Sequence, residues 1–468
     1  MKRYIIISVL AMFAGTTLVA QSARTDYFLS NSYSRQGLNP AFMPRQGYIG
    51  IPGLSDLTVE ANTNALYLDN FLFDRNGEKV TFMHPLVSSS EFLSKLPGES
   101  SFTAGMNYQP LSFGFYAKDG GFWSFGVGVK ALVDVTIPKP LFELMKIGFT
   151  AGDQTLNYPI RDLNLSLTGY TEVSVGHART FLDNRLAVGA KAKLLLGVAD
   201  LDLDIETLDV SIRKDLWTAR SKATLNGSGM KAVYDENGLF ETVETNDIGV
   251  TGYGFALDLG AVYSITDKAK VSLAVTDLGI LAWSGSSAIN MKAPETQVSV
   301  TPGGNSSSIG GGEESEGDFD FKENLDNTID DIMEVINFKQ SGKAQGRTTM
   351  LYSTVNAGVE YVVLPEEGLS AGILSSTRLG SVVASELTLS ANYNPGRIKW
   401  LSAALSYSFL NGGEAFGLAL HIAPKRGVHF FVASDYLMPK VSSQFLPVSS
   451  SIANIQFGLA IPIGQVHD

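Results

Sequence analysis

Catalysis needs a nucleophile, a base or a set of metal ligands at reactive spacing, and this chain has few residues that could serve. Its histidines are His84, His177, His421, His429 and His467. None stands in a HExxH or HxxxH pair, so a zinc site on one helix face is absent. No serine lies two positions from any histidine, which removes the same-face Ser/His pair a barrel hydrolase would use. There is no cysteine, hence no thiolate nucleophile or ligand, no disulfide and no acylated N-terminal cysteine. Asp200, Asp202, Asp204 and Glu206 form an alternating row of oxygen donors of the kind Ca²⁺ takes. Same-face neighbours on a strand stand about 7 Å apart, too far for four to share one ion, so the row reads better as a solvated strand extension. Gly310-Gly311-Gly312 lacks the following Lys-Ser/Thr of a phosphate loop. The residues therefore propose no catalytic, metal or cofactor site, and no enzyme.

What recurs instead is charge on alternate positions of long apolar segments. Lys130, Glu172, Lys191, Lys193, Asp258, Glu360, Glu386, His421, His429 and Asp435 fall on the polar face of such segments. Mixed signs of this kind suit a hydrated or internally salt-bridged interior better than a strongly ion-selective pore. His421 and His429 fall on adjacent segments and could meet across a hairpin, where hydrogen bonding inside the protein is the expected role.

The elements that must position these charges are strands. In 122–135, Trp123, Phe125, Val127, Val129, Ala131, Val133 and Val135 share one face, opposite Ser124, Gly126, Gly128, Lys130 and Asp134. Segments 163–176 and 185–198 repeat the pattern, which a 3.6-residue helical period cannot produce. In 253–263 the apolar face begins and ends on tyrosine, Tyr253 and Tyr263. Ten steps of about 3.3 Å tilted by about 40° rise about 25 Å, the height of the apolar band of a transmembrane barrel, whose borders carry aromatic girdles. Soluble strands average about five or six residues and membrane barrel strands need about nine to eleven.

Strands are expected at 48–61, 102–117, 122–135, 163–179, 185–199, 251–265, 269–281, 351–363, 369–377, 384–394, 398–410, 415–423, 427–436 and 452–463. Their connections alternate between short turns and longer segments, the longest at 62–101, 136–162, 200–250, 282–350 and 437–451, although those near Leu379 and Asn411 are short. Short periplasmic turns, longer external loops and an even strand number are the marks of an outer-membrane barrel. The fold class is all-β: an antiparallel transmembrane barrel of about fourteen strands over 48–463, with periplasmic termini and a short tail at 464–468.

Composition agrees. The 468 residues are 44% hydrophobic and 18% charged, with 47 Gly, mean hydropathy +0.09 and a formal charge of −12. That balance repels phosphate backbones and argues against nucleic acid as a partner. Residues 1–20, with Lys2-Arg3, an apolar run and a small residue at Ala20, form a secretory signal peptide. No later stretch is apolar for eighteen residues, so no transmembrane helix is expected. The acidic Gly/Ser-rich stretch 301–320 within 282–350 reads as an external loop. The helical spacing of Leu325, Ile329, Ile332, Met333 and Ile336 after it allows either a lid over the barrel or a helix packed on neighbouring loops. Pro138 to Phe149 reads as another short external helix. Residues 21–47 contain Leu38, Ala41, Phe42 and Met43, apolar content that suggests packing inside the barrel as a plug.

Leu38-Asn39-Pro40-Ala41-Phe42 resembles the NPA motif of the long-chain fatty-acid transporter (FadL-like) barrels. Tyr253–Trp283, with its repeated Asp-Leu-Gly at Asp258–Gly260 and Asp277–Gly279, His429–Lys440 and Ile455–Gly464 resemble an outer-membrane barrel family of Bacteroidota without assigned function. The FadL-like resemblance implies an N-terminal plug at Asn39, Pro40 and Ala41 in a fourteen-stranded barrel, a fold shared in type with barrels of type IX secretion. Two functions remain open from the residues: a plugged transporter or channel for small or hydrophobic solutes, and a non-transporting outer-membrane scaffold binding protein partners, such as secretion machinery, through external loops. Outer-membrane lipid surrounds the barrel in either case.

Overall fold

The computed structural model describes residues 22–148, 154–234, 240–245, 249–300, 336, 338–340, 345–379, 384–396, 398, 400–410, 413–424, 427–437 and 452–467. The expected signal peptide at 1–20, the stretch 301–320 and nearly all of the helical pattern at 322–337 lie outside the described residues. No described helix is long and apolar enough to cross a membrane.

The sheet closes into a 14-strand antiparallel barrel. We number its strands β1 (Gly47–Gly50 continuing as Asp56–Thr63), β2 (Glu99–Tyr116), β3 (Phe122–Pro138), β4 (Leu156–Phe181), β5 (Leu186–Ile212), β6 (Gly252–Ser264), β7 (Ala269–Trp283), β8 (Thr348–Met350 continuing as Ser353–Leu364), β9 (Leu369–Leu379), β10 (Ala384–Tyr393), β11 (Leu401–Leu410), β12 (Gly413–Ile422), β13 (His429–Ser434) and β14 (Ile452–Ile463). Each pairs with its neighbour, and β14 pairs with β1 in the register Gly47↔Ile463 and Ile49↔Ile461, which closes the ring. Strand count and order match the expectation from alternation and turn lengths. The interruption of β1 falls at Pro52, which has no amide to give the ladder.

Side chains divide as the period of two requires. Phe255, Leu273, Ile373, Leu405 and Phe416 are among the exposed residues that face outward, at 63%, 56%, 50%, 61% and 65% exposure, forming the apolar belt a bilayer would cover. Aromatic groups gather at both borders. Trp123, Phe125, Phe113 and Phe115 stack beside the 117–121 turn, and Tyr407, Phe409 and Phe416 meet at the opposite end.

The long connections differ from the expectation of loops. β4 runs for 26 residues and β5 for 27, far beyond a membrane's thickness. The lower half of β5 pairs with β6, while its upper half, from Asp200, turns to pair with Trp217–Ser228, which in turn pairs with Ala288–Val300. The sheet thus branches above the barrel and encloses its own core, with Ile160, Ile205, Leu208, Leu225, Met291 and Phe338 buried. Leu163, Leu165 and Leu167 pack against this core and not against lipid, a correction to their assignment to a membrane-spanning face. A helix at Lys139–Ile147 sits in this region, where a short helix was expected, with Leu144 buried in the same core.

The barrel assignment predicts that Leu259→Arg, outward near the centre of β6, costs about 2–4 kcal/mol. Urea unfolding in detergent micelles, followed by heat-modifiable gel mobility, reads that loss; the same change at exposed Leu86, in the 62–101 connection, leaves stability unchanged.

Candidate functional site

The bore is occupied by the chain's own N-terminal segment. Two short 3-10 turns, Arg24–Asp26 and Ser34–Gly37, fold residues 22–45 against the inward faces of the strands. Asp435 accepts hydrogen bonds from the backbone amides of Arg24 (2.9 Å) and Thr25 (2.8 Å) and from the Thr25 hydroxyl (2.7 Å). The Arg24 guanidinium pairs with Glu386 at 3.2 Å and Asp435 at 3.5 Å, and donates to the Tyr436 hydroxyl. Tyr436 in turn donates to Glu386 at 2.6 Å. On β14, Gln456 accepts from the Ala23 amide and donates to Asp56. Buried ions are tolerated when each finds a charged, hydrogen-bonded partner, as Arg24, Glu386 and Asp435 do.

Asn39-Pro40-Ala41 meets the wall where β5 and β6 place two glycines opposite each other, Gly189↔Gly260. A Cβ on Gly260 would stand 2.0 Å from Asn39 Oδ1, and one on Gly189 would stand 2.2 Å from the Pro40 carbonyl oxygen. The wall is therefore thinned where the segment crosses it. Asn39 Oδ1 accepts from the Ala41 amide at 2.9 Å, an Asx turn that fixes the bend, and Asn356 donates to the Leu38 carbonyl at 2.9 Å.

Higher in the bore lies a charged cluster. Lys130 contacts Glu172 (3.3 Å) and Asp277 (2.9 Å), and Lys193 contacts Asp258 (2.8 Å) and Asp277 (2.7 Å). Asp277 stands at the hub, and strict alternation misses it. Val271, Leu273 and Val275 put odd positions of β7 outward, so Asp277 would face lipid. The structure holds Asp277 at φ +57°, with Thr276 and Asp277 together opposite Asp258. This bulge turns Asp277 inward, where its amide donates to Asp258 at 2.7 Å, and moves the outward face to Leu278 and Ile280. The sequence carries that signal as a change of parity, from apolar 271, 273 and 275 to apolar 278, 280 and 282. The two Asp-Leu-Gly repeats thus differ in role: the first gives the cluster a carboxylate and the N-terminal segment a gap at Gly260, while the second forms the bulge.

The other expected inward residues are spread along the bore. Lys191 borders a cavity of about 60 Å³ beside the cluster, with no ion pair within 4.0 Å among the described residues. Glu360 accepts from Ser370 near the short-turn end. His421 and His429 do meet, with ring centres 5.9 Å apart. His421 departs from the expectation of a hydrogen-bonded role, since both of its buried ring nitrogens lack partners among the described residues; His429 reaches the Pro424 carbonyl at 3.1 Å. The row at 200–206 is largely neutralised: Arg347 bridges Asp200 and Asp202, and Lys222 pairs with Glu206. No group of metal-ligating side chains gathers among the described residues. Sequence reasoning also missed Arg24 and Arg35, which precede the strands and carry no periodic signal.

Comparison with known proteins adds the kinship. A family model described as a family of unknown function, DUF5723, matches residues 40–435. The chain belongs to that family. Among curated proteins no sequence matches it. Solved structures similar to it include the Pseudomonas putida toluene transporter TodX, at 10% identity and TM-score 0.41, covering 92% of this chain and 95% of that one. A Pseudomonas aeruginosa FadL homologue matches at 10% identity and TM-score 0.41, over 95% and 97% of the two chains. The Ralstonia pickettii toluene transporter TbuX matches at 10% identity and TM-score 0.39, over 92% and 94%.

Asp26, carried on the N-terminal segment and not on a spanning strand, is pushed up to about 7 by burial, against hydrogen bonds from Ser32 and Ser34 and the charge of Arg35 that favour its ionised form. A raised carboxyl pKa means that the docked state binds the proton more tightly than the undocked one. Docking should strengthen as pH falls from 8 toward 5 and weaken as it rises through 7. A spin label on Ser30→Cys, placed in a chain free of other cysteines, should lose mobility over that fall, and Asp26→Asn should abolish the dependence.

Proposed function

We propose that this chain is an outer-membrane channel or transporter for small, hydrophobic solutes, with residues 22–45 as a plug that closes the bore at rest. The observation that carries this reading is how the N-terminal segment is held. It fills the bore through ion pairs and hydrogen bonds to Asp435, Glu386, Asn356 and Gln456, contacts that water can replace when the segment moves. The exposed apolar belt supports a place in the membrane, the leader at 1–20 supports export, and the likeness of Asn39-Pro40-Ala41 to the fatty-acid transporter motif supports the solute class. The short turns, the start of β1 at Gly47 and the end of β14 at Ile463 share one side of the barrel, which supports a periplasmic position for the termini.

The branched sheet above the barrel favours a second reading, a surface scaffold, because a separate core is built there that closing a barrel does not need. Solute flux separates the two. Ser30 Oγ lies 3.3 Å from Asn394 Oδ1, so cysteines placed at both positions can lock the segment to the wall. In proteoliposomes the oxidised variant should pass small aromatic or aliphatic solutes more slowly than the reduced one, and deletion of 22–45 should pass them fastest. Equal, negligible flux in all three states would leave the scaffold.

A further inference from the structure

The N-terminal segment passes into β1 through Pro44, Arg45 and Gln46. Gly47 is already fixed in the barrel ladder opposite Ile463, and Tyr48 opposite Gly114 of β2. Any movement of residues 22–45 out of the bore therefore has to be taken up by rotation of the peptide planes just before Gly47. Two of those planes are held. The Tyr116 hydroxyl donates to the Pro44 carbonyl at 2.8 Å, and the His467 amide donates to the Arg45 carbonyl at 2.7 Å. Gln46 adds a third bond, from its side-chain amide to the Gly464 carbonyl at 2.9 Å. The His467 ring stacks on the Tyr116 ring with centres 3.8 Å apart, so one tyrosine grips the segment with its hydroxyl and the tail with its face.

Residues 464–467 reach this hinge by a sharp change of direction. β14 ends at Ile463, and Gly464 adopts φ +75°, a left-handed conformation that takes the chain off the line of the strand. A Cβ at Gly464 would meet nothing within 4 Å, so the position needs glycine for its backbone angle and not for space. The tail is exposed from Gly464 to His467, and Val466 borders a cavity of about 450 Å³ shared with Pro44, Arg45, Tyr48 and Trp400. Two hydrogen bonds and one ring stack hold the tail with little apolar burial, so it can let go while the ladder stays closed. The segment's partners inside the bore, Asp435, Glu386, Asn356 and Gln456, belong to the barrel wall and have no such freedom. We propose that residues 464–467 are a clasp on the hinge of the N-terminal segment: seated, they hold the segment in the bore, and displaced, they free Pro44 to Gln46 to turn and let it swing toward the short-turn side. The inference rests on residues 22–45 acting as a movable plug and names what controls the movement.

A spin label on Ser30→Cys in the full-length chain, in non-ionic detergent at one fixed pH, reads how much of the segment is loose. Gly464→Val strains the turn without a clash, His467→Ala removes the ring stack and keeps the backbone amide, and Tyr116→Phe removes the hydroxyl and keeps the ring. Gly464→Val should raise the mobile fraction about fivefold, the scale of one net hydrogen bond, and each of the others about two- to threefold. Adding His467→Ala to Gly464→Val should loosen the label no further, because the tail is already displaced. Heat-modifiable mobility should stay normal throughout, since the ladder through Ile463 is untouched. Solute flux through the same variants in proteoliposomes keeps the clasp apart from the channel reading. A looser label with negligible flux supports the clasp and sinks the channel. A label unchanged in all three variants overturns the clasp, and if deletion of 22–45 still raises flux the channel stands without it.

Discussion

Within hydrocarbon an unpaired backbone amide costs several kcal/mol, so a membrane-spanning sheet has to leave no edge. The pairing of β14 with β1, Ile461 against Ile49, meets that requirement, and the rest of the molecule follows from it. Closure turns one face of every strand to lipid and the other to a shared bore. The outward face can then be apolar throughout, while the inward face has to find partners within a confined space. The chain supplies many of those partners itself, by folding residues 22–45 against the inward faces of its strands.

Two devices reconcile a regular barrel with that filling. Opposed glycines at Gly189 and Gly260 thin the wall where Asn39-Pro40-Ala41 passes. A bulge at Thr276-Asp277 rotates one carboxylate from the lipid face into the bore, where it joins Lys130 and Lys193. Breaking one member of such a buried set costs more than the pair contributes, because a charge is left alone. The cluster therefore acts more as a constraint on register than as a source of stability.

Much of the barrel was legible in the sequence. Each of the fourteen strands shows alternation, and the turn between β6 and β7, Thr266-Asp267-Lys268, is visible as three polar residues between apolar rows. Less legible was the branching of β5. Leu201, Leu203 and Ile205 alternate as Leu194 and Leu196 do, with the parity shifted by one residue, and a period of two does not say whether an apolar face meets lipid or another sheet. Asp277 was hidden for a related reason, since a strand's parity is fixed only while no residue is inserted. Arg24 and Arg35 were hidden because irregular segments carry no period at all.

The sequence by itself determined the number of strands, their order and, wherever no residue is inserted, which positions face inward, because side-chain direction on a regular strand depends only on local backbone geometry. Tertiary structure alone decided which inward charges meet. Arg24 reaches Glu386 and Asp435 across more than 360 positions of chain, and Arg35, Arg45 and Lys270 converge on one cavity from a folded segment and a strand. Those distances are set by barrel closure and by the path of the N-terminal segment, which are properties of the whole ring and are written in no single stretch of it.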